Sequence, residues 1–399
     1  MKLGIVEREE GDDLNSSYDT FCKQEEGFEG NPRSVVQCSY RVCSQQERKP
    51  TMIISASYKT DIPTFYGEWF MNRLRAGYCK MVNPYGRQIY TIDLSPEKVD
   101  GIVFWTKNIG PFLKHLPEVQ QRGFPFIIHH TMNGYPPQLE ARVIDYERTI
   151  EHMSYLADTY GPDHLIWRYD PIIFSSLTDY CWHQQNFEKL ATLLKGTTNE
   201  AVISFAQLYA KTKRNMDQAA QEHHFSWDTH KAGEDSFLEP GRRLATELAH
   251  IAKEQGMQVK ICAQEKFLQA HGVAEARCID PKRLEQISGC SIMEKKQKGH
   301  REECACAASK DIGEYDTCPH GCVYCYAVRN RERALTRYQD HDPLSEFLFP
   351  PKNDTAKEDG MPRPLSVTRP HEQSQKQGSK GSAKKKNLSE QQLTLLPDE

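Results

Sequence analysis

The sequence predicts an α/β fold, a TIM-like full or partial (β/α) barrel that carries a cysteine-rich cluster loop near its C-terminal end. Short apolar runs alternate with longer amphipathic stretches between residues 51 and 350, a rhythm typical of parallel strands joined by helices. At least six such units follow one another, and polar side chains come directly after several of the apolar runs. A doubly wound open sheet is the alternative architecture.

The individual elements are predicted from the spacing of apolar residues. Six apolar runs are predicted to be strands, at residues 52–56, 101–105, 124–129, 164–167, 201–205 and 258–262. Helices are predicted at residues 65–74, 144–160, 182–194 and 241–254, and the last three repeat apolar residues at helical spacing.

The barrel is predicted to carry a polar extension at each end. Residues 1–50 mix acidic, Ser, Gly and Asn residues without an apolar period, and residues 351–399 are rich in Pro, Ser, Gln, Gly and Lys. Such segments bury too little apolar surface to offset the entropy of ordering, so both are predicted to be disordered. The body, residues 51–350, is predicted to be one domain with a cluster-binding segment at 300–330.

Composition narrows the class of protein. The formal net charge of −4 gives no overall basic field, so any contact with DNA requires a local patch. No run of about 18 apolar residues occurs and the N-terminus lacks the pattern of a signal peptide, which predicts a cytoplasmic protein without membrane contact. Five of the 13 cysteines fall between Cys304 and Cys325, and in a reducing compartment such a group predicts metal ligation before disulfides.

Polar side chains follow the predicted strands and form the candidate active site. All strand C-termini of a barrel open on the same face, so these side chains are expected to converge on one mouth. Taken singly, each is as well explained as a helix cap or a packing residue. The candidates are Ser55, Ser57, Lys107, His129, Arg168 and Asp170.

The strongest chemical signal is the triplet Cys318, Cys322 and Cys325 in the segment Cys-Pro-His-Gly-Cys-Val-Tyr-Cys. Three thiolates from one tight loop can bind three irons of a 4Fe–4S cluster and leave the fourth iron without a protein ligand. A tetrahedral zinc site is the alternative, since other cysteines lie close by in the sequence.

The spacing of this triplet, with Tyr324 before the last cysteine, resembles the signature of the radical S-adenosylmethionine (SAM) enzymes. The resemblance implies that SAM binds the open iron and that its reductive cleavage makes a radical that abstracts a hydrogen atom. It also implies an electron donor such as ferredoxin or flavodoxin. Tyr324 is accordingly predicted to lie at the cofactor.

A wider stretch resembles an uncharacterised family, a domain of unknown function whose members end with this cysteine motif. The resemblance is carried by residues 54–63, 104–108, 167–171 and 311–315. The segment Arg-Tyr-Asp-Pro, which directly follows the 164–167 run, and the type of cysteine motif are also distantly similar to those of spore photoproduct lyase. That protein is a radical SAM enzyme that repairs DNA.

The triplet stands near the end of the body, whereas radical SAM proteins place it after the first strand, so the resemblance implies a permuted barrel. Ser55 and Ser57 would then stand where that family has the Gly-Gly-Glu segment that holds the SAM amino group. Lys107, Arg168 and Asp170 would bind the SAM carboxylate and ribose, with His129 as a proton donor. The alternatives are an Arg168–Asp170 ion pair and a buried structural histidine.

Four further cysteines in the body predict a second metal site. Cys262, Cys278, Cys304 and Cys306 could complete another 4Fe–4S cluster or bind zinc. Cys262 and Cys278 are equally compatible with buried apolar packing, which is the usual role of an isolated cysteine.

The last residues of the chain resemble the short peptide by which bacterial repair and replication proteins dock on the DNA sliding clamp. Gln392 would form hydrogen bonds, and Leu393, Leu395 and Leu396 would fill a hydrophobic groove at the end of a flexible tail. A chance match of so short a segment is the alternative.

These features together predict a radical-SAM-like iron-sulfur enzyme that acts on nucleic acid in DNA repair or modification and is recruited through the sliding clamp. A radical SAM enzyme with a small-molecule or protein substrate is the first alternative. A zinc-binding or cluster-binding module without catalysis, or a redox sensor, is the second, and it requires four protein ligands where the enzyme requires an open iron.

Overall fold

The computed structural model describes residues 51–83, 86–207, 209–228, 235–294 and 304–351. These residues belong to one compact unit, Met1–Lys357. The predicted N-terminal extension, nearly all of the predicted tail and the clamp-like peptide lie outside the described residues, and those predictions stay predictions.

A parallel sheet of eight strands forms the centre of the unit, and a two-stranded antiparallel hairpin stands beside it. The strands are β1 Met52–Ala56, β2 Tyr78–Val82, β3 Ile89–Asp93, β4 Val99–Thr106, β5 Phe126–Thr131, β6 Leu165–Ile172, β7 Glu200–Phe205, β8 Gln258–Ile261, β9 Val273–Glu275 and β10 Ser309–Asp311. The order in the large sheet is β10-β1-β4-β5-β6-β7-β8-β9, with every neighbouring pair parallel.

Helices connect most of the strands. They are α1 Ile62–Phe65, α2 Gly67–Ala76, α3 Leu116–Gln121, α4 Tyr146–Tyr160, α5 Tyr180–Leu193, α6 Ala210–His223, α7 Asp235–Glu254, α8 Pro281–Ser288 and α9 Arg331–Gln339. Several begin at an Asp or Asn whose side chain accepts a backbone N–H of the first turn, as Asp145 does for α4 and Asn330 for α9. Among the described residues, no helix combines the length and apolar character needed to cross a bilayer.

The predicted α/β class with a parallel sheet is confirmed. All six predicted strands and all four predicted helices of the body occur, with boundaries that differ by a few residues. One difference matters for the site, because β6 continues to Ile172 and so carries Arg168 and Asp170 within the strand. The strands β9 and β10, of three residues each, are too short to give a periodic signal in the sequence.

The sheet is buried on both faces, which explains why its strands are continuous apolar runs. One face packs against the connecting helices and includes Phe104, Ile128 and Trp167. The opposite face is lined by Ile53, Val103, Ile127, Ile166 and Val202, and residues of the segment from Ala276 to Ala307 pack onto it. Alternation along each strand therefore turns the next residues toward the carboxyl ends, including Trp105, His129 and Arg168, to this second face.

Candidate functional site

Polar and aromatic side chains meet where the parallel strands end, as the sequence predicted. Trp105 is central among them: its Nε1 donates to Ser55 Oγ at 3.1 Å, its ring stacks on His129 with centroids 4.4 Å apart, and the Arg168 guanidinium lies 5.2 Å from its ring centroid. These side chains all face one side of the sheet, and they link four consecutive strands, β1, β4, β5 and β6.

The buried Arg168 forms an ion pair with the half-buried Asp170, which is the alternative that the sequence left open. Its Nε donates to Asp170 Oδ2 at 3.0 Å and its Nη1 to Cys278 Sγ at 3.1 Å, and Ser204 donates to the same aspartate. The raised pKa of Arg168 follows from the charge of Asp170 and the nearby thiols, which outweighs the effect of burial. Arg168 is therefore a fixed cation that positions Asp170 and Cys278.

His129 is buried and neutral. Burial and the nearby Arg168 lower its pKa well below the ordinary value, and its Nε2–H donates to the Cys278 carbonyl at 2.8 Å. Within the described part of the chain its Nδ1 has no hydrogen-bond partner. This imidazole is therefore suited to accept a hydrogen bond through Nδ1, whereas the sequence had suggested a proton donor.

Lys107 and Tyr324 meet at Glu140, a residue that the sequence analysis missed. Lys107 Nζ lies 2.7 Å from Glu140 Oε1, the Tyr324 hydroxyl donates to the same oxygen, and Asn133 Nδ2 donates to the Tyr324 hydroxyl at 3.1 Å. Asn133 Oδ1 also accepts the backbone N–H of Asp170 at 2.8 Å. The network therefore joins the ends of β4, β5 and β6 to the triplet loop, and the Lys107 ammonium lies 5.7 Å from the ring centroid of Tyr324 in that loop.

Asp311, at the end of β10, is the second residue that the sequence analysis missed as a site residue. Its Oδ2 accepts from Ser55 Oγ at 2.8 Å and from the Tyr58 N–H at 3.0 Å, and its Oδ1 accepts from Ser57 Oγ at 2.8 Å and from the Gly313 N–H at 3.0 Å. The only sequence signal was its place in the 311–315 segment that carried the family resemblance.

The triplet loop follows β10 and is held by buried contacts. His320 Nε2 lies 2.7 Å from Asp61 Oδ2, the Val323 N–H donates to the Leu139 carbonyl at 3.1 Å, and the Arg142 N–H donates to the His320 carbonyl at 3.0 Å. Hydrogen bonds from His320 and two backbone N–H groups lower the pKa of Asp61 although burial alone would raise it. Hydrogen bonds to Asp61, Leu139 and Arg142 thus hold the loop in place.

Of the three thiols of the triplet, Cys322 is buried and Cys318 and Cys325 are half-buried, and the three are close enough to influence one another electrostatically. Burial raises the pKa of each thiol, and the positive charge of Lys107 opposes that rise at Cys322 and Cys325. Among the described residues, no three Cys, His, Asp or Glu side chains converge as the ligands of a single ion. A cubane cluster does not require such convergence, because each cysteine binds a different iron.

Three of the four other cysteines, Cys262, Cys278 and Cys306, lie together on the second face of the sheet, and Cys304 stands two residues before Cys306 in the chain. Cys262 Sγ is 3.5 Å from Cys278 Sγ, and the backbone nitrogen of Ile279 is 3.5 Å from Cys306 Sγ. The structure therefore unites the residues that the sequence grouped, although they come from the end of β8, the segment before α8 and the segment before β10.

An exposed patch of tyrosines and lysines borders the triplet loop, and we call Lys59, Tyr209, Lys211, Tyr315 and Tyr326 the aromatic patch. The ammonium groups of Lys59 and Lys211 lie 5.7 Å and 5.2 Å from the Tyr315 ring centroid. The rings of Tyr209 and Tyr326 are 6.2 Å apart, and each of the three tyrosines is at least 36% exposed. Aromatic faces and cations at one surface can stack on planar groups and bind anions.

Fold and site define an α/β protein with a parallel sheet, compatible with a TIM-like fold, whose strand ends carry a cysteine-rich loop. Residues 53–327 match the family model described as "Domain of unknown function (DUF1848)". Because the match spans more than half of the chain, the protein belongs to this family.

The other comparisons add no function. No curated protein matches the chain. One similar solved structure is titled "Crystal structure of D-hydantoinase", with 10% sequence identity and a TM-score of 0.26 over 56% of this chain and 45% of that chain. The chain therefore spans less than half of that protein, and the likeness carries no argument about activity.

Proposed function

We propose that the protein is a radical-SAM-type iron-sulfur enzyme built on a permuted, partial barrel. The pairing of β10 with β1 carries this proposal. β10 directly precedes the triplet loop and pairs in parallel with β1, through Ile53↔Ser309 and Ser55↔Asp311. The strand that leads into the cysteine loop is thus last in sequence but stands beside the first strand of the body in space, as permutation of the radical SAM order requires.

The residues of the loop fit a 4Fe–4S cluster. Cys318, Cys322 and Cys325 supply three soft thiolate ligands from one segment, with Cys322 buried and the other two half-buried, so that the loop shields a cluster in part and leaves one side open to a further ligand. Burial raises the pKa of Cys322, the negative charge of Glu140 adds to that rise and the positive charge of its partner Lys107 opposes it, so the Lys107–Glu140 ion pair presents charges of both signs to the loop. When bound, such a cluster supplies the electron for reductive cleavage of SAM.

Ser55 and Ser57 are the residues we assign to the SAM amino group. Each hydroxyl donates to Asp311, so its oxygen presents lone pairs to other donors. Ser55 Oγ accepts one hydrogen bond from Trp105 and Ser57 Oγ accepts one from the Lys59 N–H, which leaves each oxygen one further acceptor site. An ammonium group requires acceptors, and Asp311 adds negative charge beside them.

The decisive experiment uses the full chain purified without oxygen. We expect iron and sulfide, visible absorbance and an EPR signal of the reduced protein that changes when SAM is added. Cys318→Ala should abolish the SAM effect, whereas Cys181→Ala, a change at an exposed cysteine outside the site, should leave it intact. Reductive SAM cleavage that survives Cys318→Ala, or a colourless protein even after anaerobic reconstitution, would overturn the proposal.

The aromatic patch favours nucleic acid as the substrate class. Base–aromatic stacking is worth about 1–3 kcal/mol per base, so Tyr315→Ala should weaken binding of a single-stranded oligonucleotide by about 5-fold to 150-fold. Tyr155→Ala, at an exposed tyrosine of α4, is the matched control and should bind like the unchanged protein. Fluorescence anisotropy measures both. Equal affinities of the two variants would exclude the patch as the binding surface and favour a small-molecule or protein substrate.

We also propose that the C-terminal peptide recruits the enzyme to the DNA sliding clamp. The support is the sequence alone, with Gln392 and the apolar side chains of Leu393, Leu395 and Leu396 in the order such peptides use. Removal of residues 388–399 should abolish binding to an immobilised bacterial clamp, as should Leu395→Ala combined with Leu396→Ala. Unchanged binding of either variant would exclude this role without affecting the assignment of the triplet.

A further inference from the structure

We propose that Cys262, Cys278, Cys304 and Cys306 form a zinc site with four thiolate ligands, separate from the triplet. Three separate segments of the chain bring these cysteines to the second face of the sheet, the face lined by Ile53 and Val103. Cys262 follows β8, Cys278 precedes α8, and the Cys304–Cys306 pair precedes β10. The proposal does not depend on the function assigned to the triplet.

Distances favour a single ion over a second cluster. A Zn–S bond of about 2.3 Å in a tetrahedral site places neighbouring sulfurs about 3.8 Å apart. Cys262 Sγ and Cys278 Sγ are 3.5 Å apart, close to that spacing, and Cys306 Sγ lies 3.5 Å from the backbone nitrogen of Ile279, the residue after Cys278. The ligands of a cubane cluster each bind a different iron and therefore stand farther apart than the ligands of one ion.

Hydrogen-bond donors surround the sulfurs. Arg168 Nη1 donates to Cys278 Sγ at 3.1 Å, and the Ile279 N–H points to Cys306 Sγ at 3.5 Å. Four thiolates around Zn²⁺ leave two negative charges, and such donors stabilise them while orienting the ligands. A cysteine that only fills space in an apolar core does not require a hydrogen bond from a guanidinium to its sulfur.

The backbone around the site is fixed in a way that suits a preformed ligand set. His129 Nε2 donates to the Cys278 carbonyl, the Ala307 N–H donates to the Ile279 carbonyl at 3.1 Å, and Arg277 Nε donates to the Ala305 carbonyl at 3.1 Å. These bonds hold the segments of Cys278 and Cys306 together. Among the described residues these thiols do not yet surround a common point, so the proposal requires the cysteine side chains to turn toward the ion when it binds.

Metal analysis of the full chain tests the proposal. Protein purified without oxygen from cells grown with zinc should contain about one zinc per chain. Cys304→Ser combined with Cys306→Ser should lower the zinc content at least ~10-fold, and serine at all three triplet positions should remove iron and leave zinc. Cys181→Ser is the matched control and should retain both metals.

Two further outcomes would overturn the zinc site. Loss of iron, and not of zinc, from the Cys304→Ser and Cys306→Ser variant would assign these thiols to a second iron-sulfur cluster. Absence of zinc from the unchanged protein would exclude the site altogether. If the variant fails to fold, the unchanged protein is assayed with an alkylating reagent and mass spectrometry: the four thiols should react only after a zinc chelator is added, and reaction that ignores the chelator refutes the proposal.

Discussion

Asp311→Asn should destabilise the protein by about 3 kcal/mol, because the carboxylate is the acceptor that joins β10 to the end of β1. Each of its oxygens accepts one hydroxyl and one backbone N–H: Ser57 and Gly313 on Oδ1, Ser55 and Tyr58 on Oδ2. The asparagine side chain has only one oxygen, so its NH₂ group must face one of these two pairs of donors. The serine there can turn its hydroxyl and accept, but the backbone N–H cannot.

The magnitude follows from that count. A buried donor left without a partner costs about 1–3 kcal/mol, and hydrogen bonds to a charged acceptor are stronger than those to a neutral one. Loss of the ion pair with Lys59, whose Nζ is 3.4 Å from Oδ1, adds less because Lys59 is partly exposed.

Urea denaturation of the two proteins, followed by circular dichroism, measures the difference in the free energy of unfolding. The control is Glu151→Gln, which removes a carboxylate from an exposed pair with Arg148 at 3.9 Å and should cost less than about 0.5 kcal/mol. A loss below about 1 kcal/mol for Asp311→Asn would show that β10 is not held to β1 by this carboxylate.

Three more predictions concern stability and are checked by the same denaturation assay. Gly313→Ala should lower the free energy of unfolding by about 2 kcal/mol, because an added Cβ would lie 2.0 Å from the buried Ser57 Oγ. An unchanged free energy of unfolding would contradict so close a contact between Gly313 and Ser57. Arg168→Met should cost about 2–3 kcal/mol by leaving the half-buried Asp170 without its cation, and an unchanged midpoint would contradict the ion pair. Burial lowers the pKa of His164 from 6.5 to about 4. Between pH 6.5 and pH 4 the unfolded chain therefore binds a proton that the folded protein does not. The free energy of unfolding should fall by about 3 kcal/mol in total as the pH falls through this range. His164→Phe should remove that part of the decrease between pH 6.5 and 4; identical pH profiles would refute the assignment.

Much of the fold was predictable because local periodicity reports how a segment is buried. The six predicted strands are apolar on both faces and three of the four predicted helices repeat apolar residues at helical spacing, and these patterns need no knowledge of partners. The polar residues that follow these strands were predicted to share a mouth for the same reason, since all parallel strands end at one edge. Ser55, His129 and Arg168 indeed all contact Trp105.

The chemistry of individual side chains was less predictable. Arg168, predicted to bind a ligand carboxylate, is engaged by Asp170, and His129 is neutral because burial disfavours its charge. Glu140 carries no sequence signal, and it becomes part of the site only because Lys107 and Tyr324 both reach it.

The sequence by itself determined the α/β class, the strands of the central sheet, the cysteine triplet and the set of residues at the strand ends. Only the tertiary structure decided that β10 pairs with β1, that Asp311 accepts from Ser55 and Ser57, and that four cysteines from three segments meet. The physical reason is separation along the chain: Ser55 and Asp311 are 256 residues apart. A local pattern shows that a side chain is buried or polar, but the partner it finds depends on how the whole sheet is assembled.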